Sequence, residues 1–83
     1  MREDFRTLRA AIRKMPTREA TAMVKAFRLP EEEEAAVVLC DIRKLSRIQA
    51  GDAMGLSPDA VKNRRAAAYA RMCAEIDNMR ADG

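Results

Sequence analysis

The sequence predicts an all-α fold, and three observations support that prediction. Hydrophobic residues make up 48% of the chain but aromatic residues only 4%, a composition typical of helices packed through aliphatic side chains and methionine. Apolar residues recur at helical spacing along most of the chain. The three prolines fall between these periodic segments, where proline ends one helix or begins the next. We expect about five helices in a single domain of 83 residues.

The expected domain has three parts. An N-terminal helical hairpin occupies residues 1–28 and packs on a three-helix helix-turn-helix domain at residues 29–72. A C-terminal helix extension and tail follow at residues 73–83. A chain of this length is near the lower limit for a self-supporting apolar core, so a second domain is not expected.

Composition restricts the chemistry. The chain has two cysteines and no histidine, so we predict no metal site, no cofactor, and buried free thiols at Cys40 and Cys73 in preference to a disulfide. The absence of histidine, of a nucleophile with a nearby base and of a glycine-rich phosphate loop makes an enzyme the weakest hypothesis. No long apolar stretch is present, so we expect no membrane span, no signal peptide and a cytoplasmic location.

The first two helices are predicted from apolar spacing. In residues 2–15 an apolar face lies beside a basic stripe. The apolar face consists of Phe5, Leu8, Ile12 and Met15. The basic stripe consists of Arg2, Arg6, Arg9 and Arg13. The stripe could contact DNA phosphates or an acidic partner, but a solvated face whose arginine stems cover apolar surface is the favoured interpretation. Thr17 can cap a second helix that runs to about Arg28, and the short connection predicts an antiparallel pair.

A third helix is predicted over residues 31–45. Its four leading glutamates, Glu31 to Glu34, suit the first turn of a helix better than a cation site, because the helix dipole stabilises carboxylates there. Two apolar stripes follow on different sides: Ala35, Val38, Leu39, Ile42 and Leu45 on one, and Ala36, Val37 and Cys40 on the other. A helix apolar on two sides is usually buried between two neighbours, here the hairpin and the helix-turn-helix.

Residues 46–65 have the pattern of a helix-turn-helix. Gly51 is the small residue expected where the helices cross, and Gly55 can take the positive φ of the turn. The apolar residues that would lock the pair are Ala50, Met54, Leu56 and Val61. Ser57 is a natural N-cap and Pro58 a natural first helical residue, so the final helix should run from Pro58 to about Met79.

The stretch from Leu29 to about Met72 resembles the region-four domain of housekeeping-type bacterial sigma factors, which recognises the promoter −35 element. The matching pieces, at the family's spacing and without a gap, are Leu29-Pro30-Glu31, Leu45-Ser46, Gly55-Leu56-Ser57 and Val61-Lys62-Asn63-Arg64. Ala50 and Gly51 depart from the pattern, and the glycine should loosen its helix by about 1 kcal/mol. The length leaves no room for the region that melts the −10 element. The resemblance therefore implies a small stand-alone regulator of the kind found in phages and mobile elements.

The resemblance also implies which residues face DNA. Groove-facing positions are Pro58, Asp59, Lys62, Asn63 and Ala66, and a helical wheel agrees for the last four. Candidates for the DNA backbone are Arg47, Ser57, Arg64, Arg65 and Arg71. Arg65 falls on the packed face of the wheel, so holding the fold is its alternative role. Asn63 could bond bidentately to adenine, and Ala66 could meet a thymine methyl group.

The leading hypothesis is a sequence-specific regulator that binds double-stranded DNA. An alternative is a protein-interaction module that binds RNA polymerase, an anti-sigma-type partner or itself. Its surfaces would be the acidic end at Glu31 to Glu34 and a homodimer face made of Met72, Ile76 and Met79. A phage DNA-packaging role is a further alternative.

Overall fold

The computed structural model describes residues 3–82, apart from the side chains of Ala81 and Asp82, and it is all-α as predicted. The helices are α1 (Glu3–Lys14), α2 (Thr17–Ala26), α3 (Glu31–Val37), α4 (Arg47–Met54) and α5 (Pro58–Asp82), and α3 continues into a π turn at Val38–Ile42. Arg2 of the predicted basic stripe and Gly83 of the tail lie outside the described residues. Within that part of the chain, no helix is both long enough and apolar enough to cross a membrane.

Local sequence signals set most helix ends. Ser46 and Gln49 form a capping box at the start of α4, which satisfies two backbone N–H groups. The hydroxyl of Ser57 accepts a hydrogen bond from the backbone N–H of Ala60 at 3.1 Å, so its predicted capping role is confirmed. The predicted cap at Thr17 is wrong: α2 begins directly after Pro16, which fixes the entry angle of the chain, and no side chain caps it.

The two N-terminal helices do not form the expected side-by-side pair. The main neighbours of α1 are α5 and the π turn, whereas those of α2 are α3 and the π turn. Both helices direct apolar residues into one core, whose buried members are Ile12, Ala20, Val24, Val37, Ile42, Ala68, Tyr69 and Met72. The short connection between them therefore places each helix against the centre of the molecule instead of against the other.

The third helix lies between two apolar clusters, as its two stripes predict. The second cluster joins it to the helix-turn-helix through Ala36, Cys40, Ala50 and Val61. The membership of the stripes differs from the prediction, because Val37 packs with Val38 in the first core and Leu39 packs with Cys40 in the second. A π turn adds residues to the turn and so rotates the following side chains relative to an α-helix.

The predicted homodimer face is wrong at its first residue. Met72 is completely buried, and it belongs to the core cluster that also contains Ile12 of α1 and Val24 of α2. Ile76 is half-buried and the Met79 side chain is 64% exposed, so only the last part of the predicted face is accessible. Cys40 and Cys73 are buried and are not joined in a disulfide, as expected.

Candidate nucleic-acid interface

The crossing of α4 and α5 depends on the missing side chain of Gly51. A Cβ atom placed on Gly51 would lie 2.5 Å from the carbonyl oxygen of Leu56, closer than real Cβ contacts. The backbone N–H of Leu56 in turn donates a hydrogen bond to the Gly51 carbonyl at 2.9 Å. Gly51 is therefore a requirement of the turn, which confirms the prediction of a small residue where the two helices cross.

The turn itself is closed by Gly55, which has a left-handed backbone with φ of 71°. Its backbone N–H also donates to the Gly51 carbonyl, the arrangement that commonly ends a helix at glycine. Met54 and Leu56, on either side of Gly55, pack against the cluster that contains Ala50 and Val61. This packing fixes the direction in which α5 leaves the turn.

One face of the first two turns of α5 is exposed to solvent. It consists of Asp59, Lys62, Asn63 and Ala66, at the spacing i, i+3, i+4 and i+7 that places residues on one side of a helix. Within residues 3–82 the three polar side chains make no hydrogen bond or ion pair. The face thus presents a carboxylate, an ammonium group, an amide and a methyl group to a ligand.

The residues predicted to contact the DNA backbone differ in whether another group of the protein already binds them. Arg47 is exposed at the first residue of α4. The Ser57 hydroxyl already accepts its capping hydrogen bond. Arg64 and Arg71 are exposed, but each pairs with a glutamate of α3: Arg64 Nε lies 3.0 Å from Glu32 Oε1, and Arg71 Nε lies 2.9 Å from Glu33 Oε1.

The two glutamate pairs connect the start of α3 to α5. Glu32 and Arg64 are both about half exposed, so their ion pair contributes little to stability. Arg64 can therefore exchange Glu32 for another anion. The side chain of Glu33 is only 10% exposed, and its pair with Arg71 is correspondingly better shielded from water. The predicted structural role of these glutamates therefore includes contacts with α5 as well as the helix dipole.

Sequence reasoning missed the most buried polar group, Asp41. Its side chain has no exposed surface and accepts four hydrogen bonds from three residues. Arg65 donates from Nε to Oδ2 at 2.8 Å and from a terminal nitrogen to Oδ1, the Tyr69 hydroxyl donates to Oδ2 at 2.7 Å, and Arg13 donates to Oδ1 at 3.0 Å. One signal could have indicated this site: a single acidic residue inside an otherwise apolar run.

This network assigns Arg65 to the fold, the alternative that its place on the packed face suggested. It also corrects the interpretation of the α1 stripe for Arg13, which is bound to Asp41 and, at 3.4 Å, to the Cys40 carbonyl instead of being merely solvated. Arg13, Asp41 and Arg65 come from α1, the π turn and α5. A single carboxylate therefore joins three elements of the structure.

The surroundings of Asp41 fix the protonation of its neighbours. Burial, followed by the hydrogen bond to Asp41, raises the pKa of Tyr69 well above its ordinary value, because an ionised phenol could not donate to a carboxylate. The hydrogen bond to Asp41 is the main cause that raises the pKa of Arg65. Burial also raises the pKa of the Cys40 thiol, although the charge of Arg65 opposes this. Tyr69 and Cys40 are therefore neutral at physiological pH, while Arg65 is charged.

Comparison with known proteins finds no match to this chain among family models, curated proteins or solved structures. In the part of the chain that the structure describes, no three metal-ligating side chains come together. The exposed face of α5 and its neighbouring cations are the features on which a functional assignment can be based.

Proposed function

We propose that the protein is a sequence-specific transcriptional regulator that binds double-stranded DNA by placing the first turns of α5 in the major groove. The observation that supports this proposal is the exposed face of Asp59, Lys62, Asn63 and Ala66 on a helix held by the Gly51 crossing. In helix-turn-helix proteins the second helix enters the major groove and the first crosses the DNA backbone. Here α5 and α4 have those two roles.

Each group on the face suits one kind of base edge. The Asn63 amide can bond bidentately to adenine, and the Lys62 ammonium can donate to the acceptors of guanine. The Ala66 methyl group can pack on a thymine methyl, and the Asp59 carboxylate can accept from the cytosine amino group while repelling phosphate. Together these groups would favour a short mixed sequence over random DNA.

Cations beside the face would contact phosphates. Arg47 is exposed at the N-terminus of α4, where the helix dipole also favours an anion. Arg64 could exchange its exposed pair with Glu32 for a phosphate at small cost. Arg65 is left out of this set, because its guanidinium is bound to the buried carboxylate of Asp41.

The sigma region-four resemblance adds a more specific proposal. The matched stretch contains α3, α4 and the first part of α5, and its Gly55-Leu56-Ser57 piece coincides with the turn between α4 and α5. A stand-alone domain of this type would bind a promoter element similar to the −35 sequence. It would act on transcription through that site, alone or together with RNA polymerase.

The test is selection of preferred sites from random duplexes, followed by affinity measurements on the selected site. The double variant Lys62→Ala, Asn63→Ala should lose the preference for that site, because each specific base contact contributes about 1–3 kcal/mol of discrimination. A matched control, Lys25→Ala with Asn78→Ala, removes the same residue types from exposed positions on α2 and distal α5. If the first variant binds the selected site as tightly as the control does, the assignment of this face is wrong.

A second candidate function, binding of RNA polymerase, an anti-sigma-type partner or a second copy, is favoured by the 64% exposure of the Met79 side chain. Met79 lies near the end of α5, beyond the last core residues, where an apolar side chain gains from a partner. Binding to random duplexes separates the two functions. Affinity that falls steeply with salt supports DNA binding, whereas no binding at low salt supports the interaction module.

A further inference from the structure

A second positive surface lies along α1 and includes one residue of α5. Arg6, Arg9 and Arg13 of α1 line an open groove together with Arg65 of α5. Among the residues that the structure describes, Glu3 is the one acidic residue that lines the groove. The basic stripe that the sequence predicts is thus continued by a cation from another helix.

The charge in this groove is not balanced by the groups that the structure describes. The single carboxylate of Asp41 is shared by Arg13 and Arg65, so one negative charge faces two positive charges. Arg6 and Arg9 form no ion pair within residues 3–82. Lys44 adds another cation at the end of α1, where its ammonium group donates to the Arg13 carbonyl at 3.3 Å.

The groove is continuous with the candidate DNA-binding face. Arg65 follows Lys62 by three residues on α5, so the two side chains are neighbours on the helix surface. The cations of the groove are therefore continued, through Arg65, by Lys62 on the exposed face of α5.

We propose that α1 is a second DNA contact, in which Arg6 and Arg9 bind backbone phosphates beside the major groove that α5 occupies. This inference rests on the proposed function. Guanidinium groups bind phosphate oxygens in a planar, bidentate way. Arg6 to Arg13 span about 10 Å along the helix axis, at about 1.5 Å per residue, which matches the rise of about three base pairs. Continuity with Lys62 on the candidate DNA-binding face favours DNA over an acidic protein.

The test compares the salt dependence of DNA binding for the wild type and the double variant Arg6→Gln, Arg9→Gln. Affinities are measured for one selected duplex and one random duplex over a range of salt concentrations. Loss of two phosphate contacts should make the slope of log affinity against log salt shallower by about 1.8. Affinity for both duplexes should fall by the same factor, roughly tenfold at low salt, so the preference for the selected site is unchanged.

The matched control is Arg18→Gln with Lys25→Gln, which removes two charges from exposed positions on α2. The main neighbours of α2 are α3 and the π turn, so α2 does not line the groove. The control should therefore change the salt-dependence slope by less than half as much as the α1 variant does. Equal thermal melting of the wild type and both variants shows that the fold is intact. If the α1 variant melts earlier, Arg6→Gln alone serves, with an expected slope change of about 0.9.

Three results would overturn the inference. If the wild type binds DNA and the α1 variant shows the same slope and affinity, α1 makes no contact and the proposed function stands. If the α1 variant loses binding to polyglutamate but not to DNA, the surface fits an acidic protein. If the wild type binds neither duplex at low salt, the inference and the proposed function both fail.

Discussion

Asp41 has the most unusual position of any residue in the described chain: a carboxylate with no exposed surface, bound by side chains from α1 and α5. Burying a charge costs several kcal/mol, and the cost is offset here by two guanidinium groups and the Tyr69 hydroxyl. No buried side-chain nitrogen or oxygen atom among the described residues lacks a hydrogen-bond partner. Since the donors come from different helices, the carboxylate sets how α1 and α5 align.

At this scale we predict strong energetic coupling between Asp41 and Arg65. Asp41→Asn should lower the free energy of unfolding by about 3 kcal/mol, because it leaves a half-buried guanidinium without its counter-charge. Arg65→Gln should have a similar effect, since it leaves the carboxylate under-compensated. The loss of unfolding free energy in the double variant should be smaller than the sum of the two single losses, by about 1.5 kcal/mol or more. Urea unfolding of the four proteins in a double-mutant cycle measures this difference.

The control cycle is Glu32→Gln with Arg64→Gln, an exposed pair for which the coupling should be below about 0.5 kcal/mol. Additive effects of the Asp41 and Arg65 substitutions would show that the two residues do not stabilise the fold as a pair.

At the scale of elements, the α4–α5 turn combines two glycines with different functions. Gly55 supplies a positive φ and faces open space, so a side chain there would strain only the backbone. Gly51 lies in a regular helix, and its constraint is the carbonyl of Leu56 on the other side of the turn. The close approach at Gly51 therefore decides how α5 is held.

We predict that Gly51→Ala destabilises the protein by about 2 kcal/mol or more, although alanine is the better helix former by about 1 kcal/mol. The methyl group would collide with backbone, which cannot move without opening the turn. Thermal and urea unfolding measure the effect, and Asp52→Ala, at the exposed next position of α4, is the control that should be neutral or slightly stabilising. A more stable Gly51→Ala variant would show that helix propensity dominates at this position.

The elements that could be predicted from sequence are those whose signals are local. Gly55, Ser57 and Pro58 act within a few residues of themselves, and they predicted the turn and the start of α5 correctly. The exposed face of α5 was likewise predictable from helical periodicity. The bonds to Asp41 join residues 24 and 28 apart in sequence, so they depend on how the helices pack, which no local pattern contains.

The π turn likewise depends on how the helices pack, and no local pattern predicted it. The predicted third helix continued to Leu45, but the structure ends it at Ile42 and gives Lys44 a positive φ of 60°. The turn aligns Asp41 with Arg13 and Arg65, an arrangement set by the neighbouring helices. Sequence periodicity therefore placed the helix between two clusters but assigned some of its side chains to the wrong one.

At the scale of the whole molecule, folding and proton binding are coupled through Tyr69. It is the one tyrosine of the chain, it is completely buried, and its ring centroid lies 6.4 Å from that of Phe5 in α1. Its folded-state pKa is raised above the ordinary value of about 10, so the unfolded chain loses the phenol proton first as the pH rises. The stability that Tyr69 contributes is therefore complete below about pH 10 and decreases above it.

We predict that the free energy of unfolding falls above about pH 10 by about 1.4 kcal/mol per pH unit from this group, with a contribution of the same sign from Cys40 beginning near pH 9. Because the chain has a single tyrosine, tyrosinate absorbance should rise only as helical circular dichroism is lost. Tyr69→Phe should remove the part of this decrease that comes from Tyr69. It should also lower the free energy of unfolding at neutral pH by about 1–3 kcal/mol, since Asp41 loses a hydrogen-bond donor. Tyrosinate absorbance that rises near pH 10 while the helices remain intact would contradict the coupling, because it would mean that the phenol ionises inside the folded protein.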